Sequence, residues 1–268
     1  MIVQGIKTPL ITPGTRLEEV VLSALKREGL NLKDGDILVV ASKLVSTCEG
    51  RVVKLSEVKP SAEAKKLSKK YGLKPEFVEV VLREADDVLG GVFRALLTIK
   101  HGVLIANAGA DLSNAPPGHA VLWPRNPQRA AQRLKQSLSS AFNVRIAVII
   151  ADSRTTPLRL GTTGLAIAVA GLTPVRDYRG RLDLYGVALQ VTRVNTADDL
   201  ASAAHLAMGE SAERTPLALI RDHGLQLTEG KANPKMKIPW DQCLYMKVLR
   251  ESFKKSPSSR RISRRRNP

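Results

Sequence analysis

The sequence predicts a mixed α/β fold. Strand-like apolar runs alternate with helix-like amphipathic segments along the chain, the pattern of a layered α/β protein. The 268 residues suffice for one large domain or two lobes sharing a core. Hydrophobic residues make up 43% and aromatic residues 4%, so the core is expected to be aliphatic.

The elements are expected in the following order. The start, Met1-Ile-Val-Gln-Gly-Ile-Lys7, alternates like a strand and lacks the apolar run of a signal peptide. Thr15-Arg-Leu-Glu18 reads as a capping box opening a helix to about Glu28. Asp36-Ile-Leu-Val-Val-Ala41 reads as a buried strand. Helices are expected over 61–70 and 75–88, broken near Gly72 and Pro75. Strands over 94–100 and 102–107 follow, turning at His101-Gly102. Asn126-Pro-Gln opens a helix to about Phe142. The most apolar strand, 144–151, is expected to be central. A strand over 189–194, an Ala-rich helix over 198–208 and a strand over 216–220 complete the pattern. No internal repeat is evident.

Composition narrows the function classes. No apolar run approaches the roughly 18 residues needed to span a bilayer, so a cytoplasmic protein without membrane contact is expected. Cys48 and Cys243 fit no metal spacing. Cys48 reads as a packed thiol rather than a nucleophile. The net charge is +17, and residues 251–268 hold seven basic residues and one acidic one, leaving +11 on the preceding 250. That Ser/Pro/Arg stretch is expected to be a basic disordered tail beyond a catalytic unit over 1–250. Attraction of the tail to nucleic acid is one alternative, although no aromatic stacking platform accompanies it.

Acidic residues after apolar runs are the best chemical signal. Asp152 and Ser153 follow the strand 144–151, and Asp111 follows the strand 102–107 by a short loop that ends at Asn114. Ligands of open α/β sheets bind past the strand carboxyl ends. Oxygen donors gathered there (Asp111, Asp152, Ser153) suit magnesium or manganese. The same residues are also ordinary loop formers, and that reading stays open. The segment 161–171 is rich in small residues but is neither a Walker loop nor a dinucleotide fingerprint, and close helix packing explains it as well. The loop Arg176-Asp-Tyr-Arg-Gly-Arg-Leu-Asp-Leu-Tyr-Gly186 carries three arginines that could fork onto phosphate or carboxylate, or form a plain salt-bridged loop. His101, His119, His205 and His223 lack neighbours at ligand spacing.

Taken in order, several motifs resemble the F420-0:gamma-glutamyl ligase family. They are Gly5-Ile-Lys-Thr-Pro-Leu-Ile11, Asp36-Ile-Leu-Val-Val-Ala-Ser-Lys43, Ser46-Thr-Cys-Glu-Gly-Arg51 and Asn107-Ala-Gly-Ala-Asp-Leu-Ser-Asn114. The most specific are Val175 through Gly186 and Ala197 through Glu210. The resemblance implies a two-lobed α/β catalytic unit, a homodimer with its site near the subunit interface, and GTP as co-substrate. It implies two divalent ions, Mg2+ or Mn2+, with K+ as a further member of the set. By position, Asp111, Asp152, Ser153 and Glu210 resemble the metal ligands. Pro9, Leu10, Ile11, Ser42, Lys43, Asn114, Met208 and Gly209 resemble nucleotide-binding positions. Arg176 and Arg181 are expected to hold anions during catalysis. The implied reaction adds L-glutamate to coenzyme F420-0 through an acyl phosphate, then extends it by γ-glutamyl linkage. The chain departs from the family pattern at Ser153, at Arg154-Thr-Thr156, at Leu160 and at Thr47. These departures motivate a second alternative, an amide ligase with a different acceptor acid.

Overall fold

A computed structural model describes residues 1–228 and 236–255. The chain begins with β1 (Ile2–Ile6), α1 (Leu17–Arg27), β2 (Ile37–Ala41) and α2 (Ser42–Cys48). It continues with β3 (Val52–Lys54), α3 (Ala62–Tyr71), α4 (Pro75–Glu84), β4 (Asp87–Val92), β5 (Ala95–Lys100), β6 (Val103–Ala106) and β7 (His119–Val121). Next come α5 (Pro127–Phe142), β8 (Ala147–Thr155), β9 (Thr162–Ala170), β10 (Arg176–Asp177), β11 (Arg193–Val194), α6 (Thr196–Met208), β12 (Leu217–Arg221) and α7 (Leu244–Lys255).

The mixed α/β expectation holds, and the core explains its two-lobed form. The main sheet has the order β1-β12-β2-β8-β9, with β2 and β8 parallel and the other neighbours antiparallel. Ile37, Leu38, Val39 and Val40 are fully buried, as an apolar strand covered on both faces must be. One face packs Val21 and Leu25 of α1 and Leu134 and Leu138 of α5 against Leu38, Val40, Val148 and Ile150. The other packs Leu200, Ala201 and Ala204 of α6 against Val39, Ile149 and Ala166. A separate cluster holds Phe77, Val78 and Val81 of α4 with Leu96, Ala120 and Leu122. This second lobe lies within the long connection from β2 to β8. Parallel neighbours need a crossover of a dozen or more residues, and here the crossover holds a lobe before α5 completes it.

Several boundaries differ from the sequence reading for physical reasons. The capping box is absent: Arg16 is the N-cap of α1 without a side-chain hydrogen bond, and Thr15 Oγ1 donates to Thr12 O at 2.8 Å instead. Helix α4 stops at Glu84, and Asp87–Val92 pairs with β5 as a strand. Asn126 caps the helix it was expected to open, and Ser61 caps α3, each accepting a backbone N–H three residues on. The strand expected over 144–151 begins at Ala147 and runs on to Thr155 because β9 pairs along its second half. It is interior but not central; β2 is. The small-residue segment 161–171 is mostly β9, and only Arg193–Val194 of the range 189–194 is a strand. Residues 251–255, read as part of a disordered tail, continue helix α7. The rest of that tail lies outside the described residues.

Candidate active site

The seam between the lobes is built where β2 and β8 part company. Their parallel pairing ends at Ala41 opposite Ala151. Beyond it β2 turns directly into α2, which begins with Ser42 and Lys43, while β8 continues against β9. Asp152 and Ser153 therefore sit inside a strand rather than past its end, opposite Leu165 and Gly164. They still face the opening left by the departing β2 chain, the kind of crevice in which open α/β sheets bind ligands.

Four distant segments meet there. From the second lobe, Asp111 is held by an isolated bridge to Val121 and accepts from Ser113 N at 2.9 Å and Ser113 Oγ at 2.8 Å. Lys43 Nζ stands 2.5 Å from Asp111 Oδ2 and donates to Ser113 Oγ at 2.9 Å. Asp152 Oδ1 accepts from Ser153 N at 2.8 Å, and its Oδ2 accepts from the indole Nε1 of Trp123. Ser42 also hydrogen-bonds Asp152, and the charge of Lys43 acts on it. On the far side Ser153 hydrogen-bonds Glu210, whose Oε1 accepts from Thr162 Oγ1 at 3.2 Å and lies 2.5 Å from His205 Nε2. Asn114 Nδ2 donates to Ser211 O at 2.9 Å, and Thr8 N donates to Arg214 O at 2.8 Å. The loops carrying Asn114, Glu210 and Thr8 are thus tied together.

Two glycines make this convergence sterically possible. A Cβ at Gly109 would lie 2.2 Å from Trp123 Nε1, so a bare backbone there lets the indole reach Asp152. A Cβ at Gly164 would lie 2.3 Å from the Ala201 carbonyl carbon, so α6 can press onto β9 and carry Glu210 toward Ser153.

The electrostatics differ from carboxylate to carboxylate. Burial pushes the Asp152 carboxyl above the usual range despite its donors. Burial would also raise Asp111, but Lys43 and Ser113 outweigh it and hold Asp111 below the usual range. Glu210 is likewise held low, its burial outweighed by His205 and Ser153. Among the described residues no three His, Cys, Asp or Glu side chains form a metal cage by themselves. The donor set nevertheless fits a hard ion that shares its shell with phosphate oxygens and water, as Mg2+ does. An enclosed carboxylate raised by desolvation is the group a cation would return to its charged form.

Of the nucleotide-type positions, Ser42, Lys43 and Asn114 lie in this network. Met208 and Gly209 end α6 just before Glu210. Pro9 and Leu10 are exposed and Ile11 half-buried in the loop after β1, in which Thr8 is strapped to Arg214. Arg176 and Arg181 stand apart: their guanidiniums lie 5.2 and 4.8 Å from the Tyr178 ring, in an exposed hairpin. Among the described residues neither has a hydrogen bond or ion pair to the acid cluster. Arg154 donates to Asp198 Oδ2 at 2.9 Å, so that departure from the family pattern is absorbed by an internal ion pair with α6. Cys48 is half-buried, and burial with Glu18 and Glu49 pushes its thiol up to about 11, as suits a packed thiol. Sequence reasoning missed Trp123, Ser113 and His205 as partners of the acids. The one usable signal was Trp123, one of two tryptophans in a chain poor in aromatics.

Carboxylates, hydroxyls and a lysine gathered at a lobe seam mark this crevice as the candidate active site. Comparison with known proteins makes the assignment specific. The family model described as F420-0:Gamma-glutamyl ligase matches residues 5–222. The coenzyme F420:L-glutamate ligase of Methanothermobacter thermautotrophicus is 40% identical over 85% of this chain and 92% of its own. Those of Methanopyrus kandleri and Methanocaldococcus jannaschii are 40% and 37% identical, over 79% and 85% of this chain and 82% and 90% of their own. The chain belongs to the F420-0:gamma-glutamyl ligase family.

Proposed function

We propose that this chain is a GTP-dependent ligase that joins L-glutamate to coenzyme F420-0 by an amide bond and then extends it through γ-glutamyl linkage. Family membership supports the ligase class. The observation that carries the residue roles is the meeting of Lys43, Asp111, Asp152, Ser153 and Glu210 at one seam.

A carboxylate is a poor electrophile, so amide formation in water needs activation. The acceptor carboxylate attacks the γ-phosphorus of GTP, GDP leaves, and an acyl phosphate forms. The neutral α-amine of glutamate then attacks the acyl carbon, inorganic phosphate leaves with the bonding pair, and the amine gives up its proton. Asp111, Asp152, Ser153 and Glu210 would hold Mg2+ or Mn2+, which when bound offsets the triphosphate charge. Lys43 is placed to change partners, leaving Asp111 for a phosphate oxygen. Asn114, Thr8 and the loop after Met208 would position the nucleotide. K+ is a further expected member of the site. An exposed apolar hairpin supports a homodimer.

Purified protein is incubated with GTP, L-glutamate, F420-0 and Mg2+ or Mn2+, and products are read by mass. Gain of glutamyl units only when all components are present is expected. Absence of any glutamyl product would overturn the reading, and GTP turnover indifferent to the acceptor would count against the acyl phosphate.

A further inference from the structure

Helix α7 lies beyond residue 222, where the family match ends. Of its described side chains Met246 is buried, at 8% exposure, whereas Leu244 is 75% exposed and Tyr245 and Leu249 are exposed as well. At about 100° per residue, Leu244, Tyr245 and Leu249 share an arc of about 140°, and Met246 sits roughly 60° past its edge. The helix thus docks by one edge of its apolar side and leaves the rest bare. Ile238, also exposed, and the half-buried Trp240 precede it. Isolated apolar side chains on a surface are ordinary, but several on one short element mark an interaction surface. The charge beside this face is one-sided. Lys247 is exposed, and Lys254 and Lys255 are the last residues of the helix. The sequence continues with Arg260, Arg261, Arg264, Arg265 and Arg266, and Glu251 is the lone acid from residue 244 onward.

We propose that α7 and the basic sequence after it form a peripheral anchor that lies on an anionic lipid surface. The two features together select the partner. An amphipathic helix flanked by cations sets its apolar face at the boundary of headgroups and acyl chains, while the cations stay with the lipid charges. A cluster of Lys and Arg next to such a helix reads as anionic-lipid recognition. Tyr245 and Trp240 pair an apolar ring with a polar tip, the side-chain type that suits this boundary. A nucleic acid would engage the arginines but offers phosphate, not hydrocarbon, to Leu244 and Leu249. A second copy of the chain would cover the leucines but bring two basic stretches side by side. A lipid surface answers both. The 12-residue helix is well short of the roughly 20 residues needed to span, and no described helix is long and apolar enough to cross a membrane. The chain would therefore rest on the surface, which revises the sequence expectation of no membrane contact. One short helix binds weakly, and the arginines supply the second signal that stable attachment requires. This anchor stands independently of the ligase reading.

Co-sedimentation of the full chain with vesicles tests this. The vesicles are phosphatidylcholine alone or with about one third phosphatidylglycerol. Binding is expected on the anionic vesicles, absent on the neutral ones, and falling as salt rises. Leu244→Ser with Leu249→Ser keeps every charge and should weaken binding about tenfold. Replacing the five arginines between 260 and 266 by Gln keeps the apolar face and should weaken binding by about the same factor or more. Should the leucine pair lower the thermal midpoint, Leu244→Ser alone, at the most exposed position, should weaken binding in the same direction. No binding to anionic vesicles, or full binding by a folded leucine variant, would overturn the proposal. Tighter binding to polyuridylate than to the vesicles, unchanged in the leucine variant, would overturn it by assigning the arginines to nucleic acid. A leucine variant that is monomeric in light scattering where the wild type is dimeric would overturn it by giving the face to a second copy.

Discussion

At the residue scale the site is a relay of charges in which each carboxylate has a different neighbour. Trp123 is the partner most open to a clean test, because its indole N–H is one of the donors holding the Asp152 oxygens, beside Ser153 N–H and Ser42. Trp123→Phe keeps most of the ring against Gly109 and removes that donor. Stability should fall by about 1–3 kcal/mol, the cost of leaving a buried polar group short of a partner together with some lost ring volume. Ligase activity should fall further than stability accounts for, since the Asp152 carboxylate loses its orientation; urea unfolding alongside kcat separates the two. The acids themselves should act as a unit. Asp111→Asn, Asp152→Asn and Glu210→Gln should each abolish tight Mn2+ and GTP binding in calorimetric titration, and wild-type affinity in all three would sink the metal assignment. Asp152→Asn carries an additional cost: Ser153 N–H and Trp123 N–H each point at an oxygen, and an amide can present only one.

At the element scale the second lobe depends on an ion triad that ties its helix to its sheet. Glu84 at the end of α4 accepts from Arg51 at 2.7 Å and is also bonded by Lys100 of β5, which is almost fully buried. Burial alone would raise Glu84, but Lys100 and Arg51 hold it below its ordinary value of 4.5. A carboxyl with a depressed folded value contributes stability that is present above the unfolded value and is lost as pH falls through the folded one. Stability should therefore drop below about pH 4.5, the unfolded value, and Glu84→Gln should flatten that acid limb. The same change should cost about 3–5 kcal/mol at neutral pH by leaving the Lys100 charge unpaired, whereas Glu84→Gln with Lys100→Met should recover much of it. Equal stability of the single and double variants would contradict this. Helix α6 gives a second test: Gly164→Ala places a methyl against Ala201 and should cost about 1–3 kcal/mol, with a loss of activity as Glu210 is displaced. Contrast in legibility follows from the same packing. The runs 36–41 and 126–142 were readable because apolar period and caps are local properties. Strand β9 was not, because its glycine and alanines are chosen for contact with α6, which no local propensity records. Of the site, Asp111 and Asp152 were visible as acids after apolar runs. The pairing of Asp111 with Lys43 and of Asp152 with Trp123 was not, because it depends on the seam between the lobes.

At the scale of the whole molecule, the hairpin formed by β10, β11 and their connection demands a covering surface. Its backbone is internally bonded, with Leu189 N donating to Arg181 O at 2.8 Å and Asp183 N to Val187 O at 2.9 Å. Yet Leu184 is 99% exposed, Tyr185 91% and Val191 82%. A two-stranded ribbon with bare apolar sides is marginal in water by itself, and exposed apolar patches of this kind mark interfaces. Leu158 and Leu160, at the tip of the β8–β9 hairpin, are equally bare. The same ribbon carries Arg176 and Arg181, which among the described residues have no hydrogen bond or ion pair with the acid cluster of their own chain. Packing against a second copy of the chain would satisfy both facts, covering the leucines and offering the arginines to the neighbouring site. Wild-type protein should then be a dimer by light scattering, and Leu184→Ser with Tyr185→Ser should be monomeric with its fold intact. Complementation tests the arginines directly. Arg181→Ala and Asp152→Asn should each be nearly inactive alone. After mixing and subunit exchange, half the dimers are mixed and each mixed dimer has one intact site, so roughly a quarter of wild-type activity should return. A monomeric wild-type chain would remove the covering surface, and a dimer without recovered activity would confine Arg181 to its own subunit.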